Sequence, residues 1–227
     1  MNKEVSILLP GAFFENDYHR KLNYLTLKNI NCIYIYDHSI NPVETNQQMY
    51  EIKKSISLLQ DSTEFNSHLG ICVLNINKRK MNLLFSDYIN PLLEIKNFRL
   101  GLGTGDNKYE IMEENFNNNL DAIISELISS YIFSTQGKNL FVGGTSNKKI
   151  DLVKKYSIGI NQWLGNEEEL KLLANNIGKI KNPLGRFSHC QKIHKINTSL
   201  PSNLEQIFVL KDSNLEDFYS QVDKISL

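Results

Sequence analysis

Short β-branched, apolar runs alternate with amphipathic, helix-length stretches from one end of this 227-residue chain to the other. The runs Val5–Leu9, Cys32–Tyr36, Leu69–Leu74, Phe98–Leu102, Asn139–Val142, Gly159–Trp163 and Gln206–Leu210 have turn residues nearby. They are apolar on both faces, which is the pattern of parallel strands covered on both sides. Between them apolar residues recur at helical spacing: Met49, Ile52, Ile56 and Leu59, then Phe116, Leu120, Ile123, Ile124, Leu127 and Tyr131, then Leu215, Phe218, Tyr219, Val222 and Ile225. Each set places one stripe on one side of a helix, as an outer helix packed on a sheet requires. A weaker run, Phe187–Ile193, supplies an eighth strand. Eight strand-helix units predict a single α/β domain over residues 1–227, a compact closed (β/α)8 barrel of the TIM type, although an open doubly wound sheet uses the same alternation. The chain is short for such a barrel, which usually takes about 250 residues. Pro201 and several Asn and Ser residues in 197–204 occupy the place of a helix, so the helix before the last strand is expected to be reduced or missing.

Composition narrows the function classes. Twenty-five basic residues balance twenty-five acidic ones, leaving no global field to gather nucleic acid or an anionic membrane surface. Cys32, Cys72 and Cys190 are odd in number and widely spaced. With no secretory leader ahead of them, and no apolar stretch long enough to span a bilayer, a reducing cytoplasm is the expected compartment. No Cys, His and carboxylate set has structural-zinc spacing, so no metal is expected.

Three places carry chemistry. Gly101-Leu-Gly-Thr-Gly-Asp106 follows a predicted strand directly. Its third glycine comes one residue too early for the dinucleotide fingerprint. Two readings fit: a tight strand-to-helix turn, or a backbone bared for close approach to a planar or anionic ligand. Asp37-His38 closes the second strand, and in a barrel the C-terminal strand ends build the active site. The pair reads either as a loop cap beside a solvated imidazole or as an acid–base group oriented by a carboxylate. Phe141-Val-Gly-Gly-Thr-Ser146 runs from a strand into a helix over Lys148–Tyr156. This is a ready phosphate site, and Ser146 serves equally as a simple N-cap. Within the third strand Gly70 asks for a bulge or a close cofactor approach, while Cys72 in its apolar run reads as a buried, inert thiol.

With these pieces in order, the chain resembles the luciferase-like monooxygenase superfamily, and within it the deazaflavin-dependent oxidoreductases. The likeness rests on Tyr34–His38, Leu69–Leu74, Arg99–Asp106, Val142–Ser146 and Gln206–Leu210. It implies that Asp37 and His38 hold the cofactor ring and its reactive face, with His38 the proton donor or acceptor. It implies a cis peptide between Cys72 and Val73, a bulge that backs the ring. Gly103, Thr104 and Asp106 would line the pocket, Asp106 as general acid, and Gly143, Gly144 and Thr145 would hold the cofactor phosphate.

The resemblance further implies hydride transfer between the deazaflavin coenzyme F-420 and a small organic substrate. A monooxygenase using FMN and oxygen is the alternative, and a non-catalytic flavin-binding or structural homologue is the reading from another class. The departures from the family are a shortened insertion between the fourth and fifth strands, and Ser39-Ile-Asn-Pro42 where an aromatic residue is usual. Barrel relatives pair through helices beside the second strand, and Gln47–Leu59 offers such a stripe for a homodimer, or for core packing alone.

Overall fold

The computed structural model describes residues 5–28, 30–37, 52–61, 67–105, 119–130, 139–177, 185–192, 204–211 and 213–225. Eight parallel strands close a barrel in simple sequence order: β1 (Val5–Leu8), β2 (Cys32–Ile35), β3 (His68–Asn75), β4 (Arg99–Gly103), β5 (Leu140–Gly143), β6 (Gly159–Trp163), β7 (Phe187–Lys192) and β8 (Leu204–Val209). The last strand pairs with the first, Ser6 opposite Ile207 and Leu8 opposite Val209. Closure, rather than an open sheet, is thus the outcome of the alternation seen in the sequence, and no strand edge is left to cover.

The outer layer holds α1 (Tyr18–Thr26), α2 (Ile52–Gln60), α5 (Leu120–Ser130), α6 (Asn147–Tyr156), α7 (Glu167–Ile177) and α8 (Leu215–Ile225). Between β3 and β4 the helical layer is composite: α3 (Met81–Leu84) runs through a π-helical turn, Phe85–Ile89, into α4 (Asn90–Leu93). Polar residues at helix starts explain several boundaries. Asn119 Oδ1 accepts the Asp121 N–H at 3.0 Å ahead of α5, and Asn214 Oδ1 accepts the Asp217 N–H at 2.9 Å ahead of α8. Asn166 and Glu169 form a reciprocal capping box at α7, with Oδ1 accepting the Glu169 N–H at 2.9 Å and Glu169 Oε2 accepting the Asn166 N–H at 3.4 Å. The segment 193–203, where a missing helix is expected, lies outside the described residues, as do 106–118 and 131–138 of the shortened β4–β5 connection.

The strands divide their side chains between two buried regions. Ile7, Ile33, Ile71, Leu100, Val142 and Phe208 face outward into the main core beneath the helices. Leu8, Tyr34, Cys72, Val73, Phe141 and Cys190 fill the barrel interior. Glycines make the room these interior side chains need. A Cβ on Gly70 would stand 2.7 Å from the Tyr34 ring, and one on Gly101 2.5 Å from the Phe141 ring. The Tyr34 ring accounts for Gly70, which pairs in regular register with Arg99, and the irregularity of β3 lies two residues further on. The same holds for the first glycine of the Gly101–Gly105 run, whose reason is the Phe141 ring.

Near the N-terminal ends of the strands the interior is polar. Arg99 Nη1 lies 2.7 Å from Glu205 Oε1, and both side chains are buried. Tyr34 Oη accepts from Arg99 Nη1 at 3.2 Å and donates to Glu205 Oε2 at 3.2 Å, and Ser6 Oγ also donates to Glu205. This cluster forms the barrel floor, opposite the end where ligands bind in such barrels.

Candidate active site at the barrel mouth

The C-terminal end of β3 shapes the mouth. Register with β4 runs Gly70–Arg99 and Ile71–Leu100, then resumes at Leu74–Leu102 and Asn75–Gly103. Cys72 and Val73 together stand opposite Gly101, one residue more on β3 than on β4, and the peptide bond between them is cis, as the resemblance implies. A regular strand sends consecutive side chains to opposite faces. Here both Cys72 and Val73 enter the interior. Val73 seats between two of the predicted site glycines: a Cβ on Gly103 would stand 2.4 Å from Val73 Cγ2, and one on Gly143 2.8 Å from Val73 Cγ1. The tertiary structure thus brings Val73, Gly103 and Gly143 into one wall.

Cys72 Sγ lies 3.9 Å from Cys190 Sγ inside the barrel, and Cys190 also contacts the Asn161 amide. The thiol contact with Cys190, together with burial, pushes the Cys72 thiol well above its ordinary value. It stays protonated at neutral pH, which suits a packing residue rather than a nucleophile.

Beyond Gly103, Thr104 and Gly105 are half-buried at the rim, and Gly105 has φ +75°. At the end of β5 Gly143 is half-buried, and just beyond it Gly144 is half-buried and Thr145 exposed. Gly144 adopts φ +91°, a region closed to most L-residues, and its N–H donates to the Asn161 carbonyl at 2.8 Å. Ser146 occupies the N-cap position of α6, but its hydroxyl makes no capping hydrogen bond. The simple N-cap reading therefore does not account for it. Lys149, in the first turn, donates to the Gly143 carbonyl, and burial pulls its ammonium below the usual lysine value.

Asp37 is buried at the end of β2 and engaged by its own chain. Arg79 forms a forked pair with it, Nη2 donating to Oδ1 at 3.0 Å and Nη1 to Oδ2. The Asn75 N–H donates to Oδ2 at 3.0 Å, and Lys78 Nζ donates to the Asp37 carbonyl at 2.9 Å. Asn77 Nδ2 in turn donates to the Thr104 carbonyl at 3.0 Å. Sequence reasoning missed Asn77, Lys78 and Arg79. The visible signal was the polar run Asn75-Ile-Asn-Lys-Arg79 directly after an apolar strand, at the end of the barrel where function concentrates. His38 and Asp106, the expected catalytic pair, lie outside the described residues.

The residues at the mouth fit a ring with a phosphate-bearing tail. The β3 bulge, with Val73 packed against Gly103 and Gly143, forms an apolar side. The Gly143–Ser146 turn offers hydroxyls at a helix N-terminus, with a cation in its first turn. Among the described residues no group of three or more His, Cys, Asp or Glu is placed to hold a metal ion, and no helix is long and apolar enough to cross a membrane.

No protein-family model matches the chain, and no curated protein matches it. Among solved structures it is similar to an F-420-dependent secondary alcohol dehydrogenase in complex with an F-420–acetone adduct, with TM-score 0.58, 8% identity, and coverage of 86% of this chain and 70% of that one. It is also similar to a coenzyme F-420-dependent tetrahydromethanopterin reductase from Methanopyrus kandleri, with TM-score 0.56, 11% identity, and coverage of 86% of this chain and 67% of that one. At such identities the likeness is one of fold, and the fold is the closed (β/α)8 barrel.

Proposed function

We propose that this barrel is a deazaflavin-dependent oxidoreductase that moves a hydride between coenzyme F-420 and a small organic substrate. The observation that carries the reading is the β3 bulge, which seats Val73 between Gly103 and Gly143 at the mouth. The two structural neighbours, each described as F-420-dependent, support the choice of a deazaflavin over FMN.

In this reading Cys72 and Val73 back the ring and exclude water from one of its faces. Gly103 and Thr104 line its edge. Gly143, Gly144 and Thr145 hold the phosphate by giving it a side-chain-free approach and a hydroxyl at the start of α6, the Gly144 N–H itself being held by the Asn161 carbonyl. His38 handles a proton at the substrate oxygen, and Asp106 serves as the second acid–base group. When bound, the deazaflavin supplies the hydride chemistry, and the protein supplies orientation and a proton path.

The test is titration of the purified chain with F-420 and with FMN, followed by absorbance and fluorescence. Saturable binding of F-420 with little or no binding of FMN is expected. Preference for FMN turns the reading to an oxygen-using monooxygenase, and failure of both to bind overturns it. With binding in hand, His38→Ala and Asp106→Asn should each lower turnover by roughly 10²-fold or more. Unchanged turnover in both removes them from the mechanism.

A further inference from the structure

We propose that Asp37 is a brace rather than a ligand contact, and that Arg79 is the positioning residue that sets the mouth through it. An ionised carboxylate offers about four acceptor sites. Oδ2 takes the Asn75 N–H at 3.0 Å and Arg79 Nη1; Oδ1 takes Arg79 Nη2 at 3.0 Å and has Lys78 Nζ 3.6 Å away. The side chain is 6% exposed. Among the described residues, three of these acceptor directions are filled by hydrogen bonds and the remaining one, on Oδ1, faces the Lys78 ammonium, so a bound molecule would have to displace a cation or a backbone amide.

The guanidinium is held as firmly as the carboxylate. It lies over the Tyr88 ring at 3.8 Å, and Tyr88 belongs to the π-helical turn Phe85–Ile89. Burial lowers the Arg79 pKa, but the hydrogen bond and charge of Asp37, with Tyr88 adding to them, more than offset this and raise it above the ordinary arginine value. The charge is therefore permanent. A planar fork stacked on an aromatic face fixes direction as well as distance, which a lysine does not.

The brace links three strand ends. Asp37 lies two residues beyond β2, Asn75 closes β3 and Ile76–Arg79 follow it, and Asn77 ties that segment to Thr104 beyond β4. Asp37 precedes His38 in sequence, and Thr104 lies in the rim proposed above to line the ring. Releasing Arg79 frees both sides of the mouth without touching either proposed ligand contact.

The test compares Asp37→Asn, Arg79→Gln, Arg79→Lys and the double variant Asp37→Asn/Arg79→Gln, with two readouts. The first is amide exchange at Asn75 and at residues 104–105 in the free protein, and it does not depend on the proposed cofactor. The second is F-420 affinity, which rests on the deazaflavin reading. Asp37→Asn and Arg79→Gln should each speed exchange by about tenfold or more and weaken affinity by about tenfold, since one charge-assisted hydrogen bond carries that much. The double variant should match the single variants rather than multiply them, because the pair acts as one unit. Arg79→Lys should fall between wild type and Arg79→Gln.

Weakened affinity in Asp37→Asn alone, with Arg79→Gln indistinguishable from wild type, makes Asp37 a direct contact and overturns the proposal. If the wild type binds no F-420, the functional reading falls and exchange alone decides the brace. If Arg79→Gln does not fold, Arg79→Lys decides, and wild-type exchange in that variant counts against the fork.

Discussion

Replacing Gly103 with alanine probes the wall of the mouth, because the added atom meets one identified neighbour. The new Cβ would stand 2.4 Å from Val73 Cγ2 and 3.4 Å from Val73 Cβ. Carbon atoms attract best near ~3.5–4.0 Å, so the methyl must retreat by more than about 1 Å. Its other flank is closed, since Val73 Cγ1 already lies against Gly143. Overpacking of this kind costs ~1–3 kcal/mol, offset by ~0.4–1 kcal/mol from the lower entropy of an unfolded chain with one fewer glycine.

Val73→Ala alone removes two methyl groups from a side chain that is 9% exposed. At ~0.8 kcal/mol per buried carbon group, with a cavity contribution, that costs about 2 kcal/mol. In the double variant the clash is gone, and only an ordinary 3.4 Å contact remains. The glycine entropy change occurs in both the single and the double variant, so it cancels from the cycle. A favourable coupling of about 1–3 kcal/mol, the clash relieved, is expected, above the ~0.3–0.5 kcal/mol scatter of independent sites. Urea denaturation followed by far-ultraviolet circular dichroism measures it. Strict additivity refutes the placement of Val73.

The barrel floor offers a second test. Glu205→Leu leaves the buried Arg99 guanidinium without its carboxylate and should cost ~3–5 kcal/mol in denaturant unfolding, whereas Arg99→Met/Glu205→Leu should recover most of that loss. A double variant as damaged as the single one contradicts the pairing. A third concerns pH. Burial pushes the His189 imidazole below its usual 6.5, against an opposing pull from the Gly165 backbone. The unfolded chain takes a proton near pH 6.5 that the folded protein refuses, so stability falls as pH drops from there toward the depressed folded value and levels off below it. In wild type minus His189→Gln, the difference in unfolding free energy should decline between pH 7 and pH 5, and a flat difference removes His189 as the cause.

Much of the fold was legible because it is written in local periods. Seven strands were visible as apolar runs and the eighth as a weaker one, and their observed limits differ from the sequence reading by one or two residues at most ends. The α6 helix begins at Asn147 where 148 was expected. The candidate site was legible in position, since Asp37, Gly103, Thr104 and Gly143–Thr145 all lie at C-terminal strand ends. The partners of these residues were not. Arg79 lies 42 residues from Asp37, and Glu205 lies 106 from Arg99. No period or motif connects residues so far apart in the chain.

The glycines show where the division falls. From the sequence alone, alternating strands and helices determine an eight-unit α/β chain, because burial on both faces of a strand and one face of a helix must appear as residue spacing. The same spacing places Gly101–Gly105 and Gly143–Gly144 at strand ends. It does not say what each glycine makes room for. Only closure of the barrel decides that Gly70 yields to Tyr34, Gly101 to Phe141, and Gly103 and Gly143 to Val73. Closure likewise gives Asp37 to Arg79. Steric exclusion and charge pairing act between atoms that the chain brings together only after it has folded.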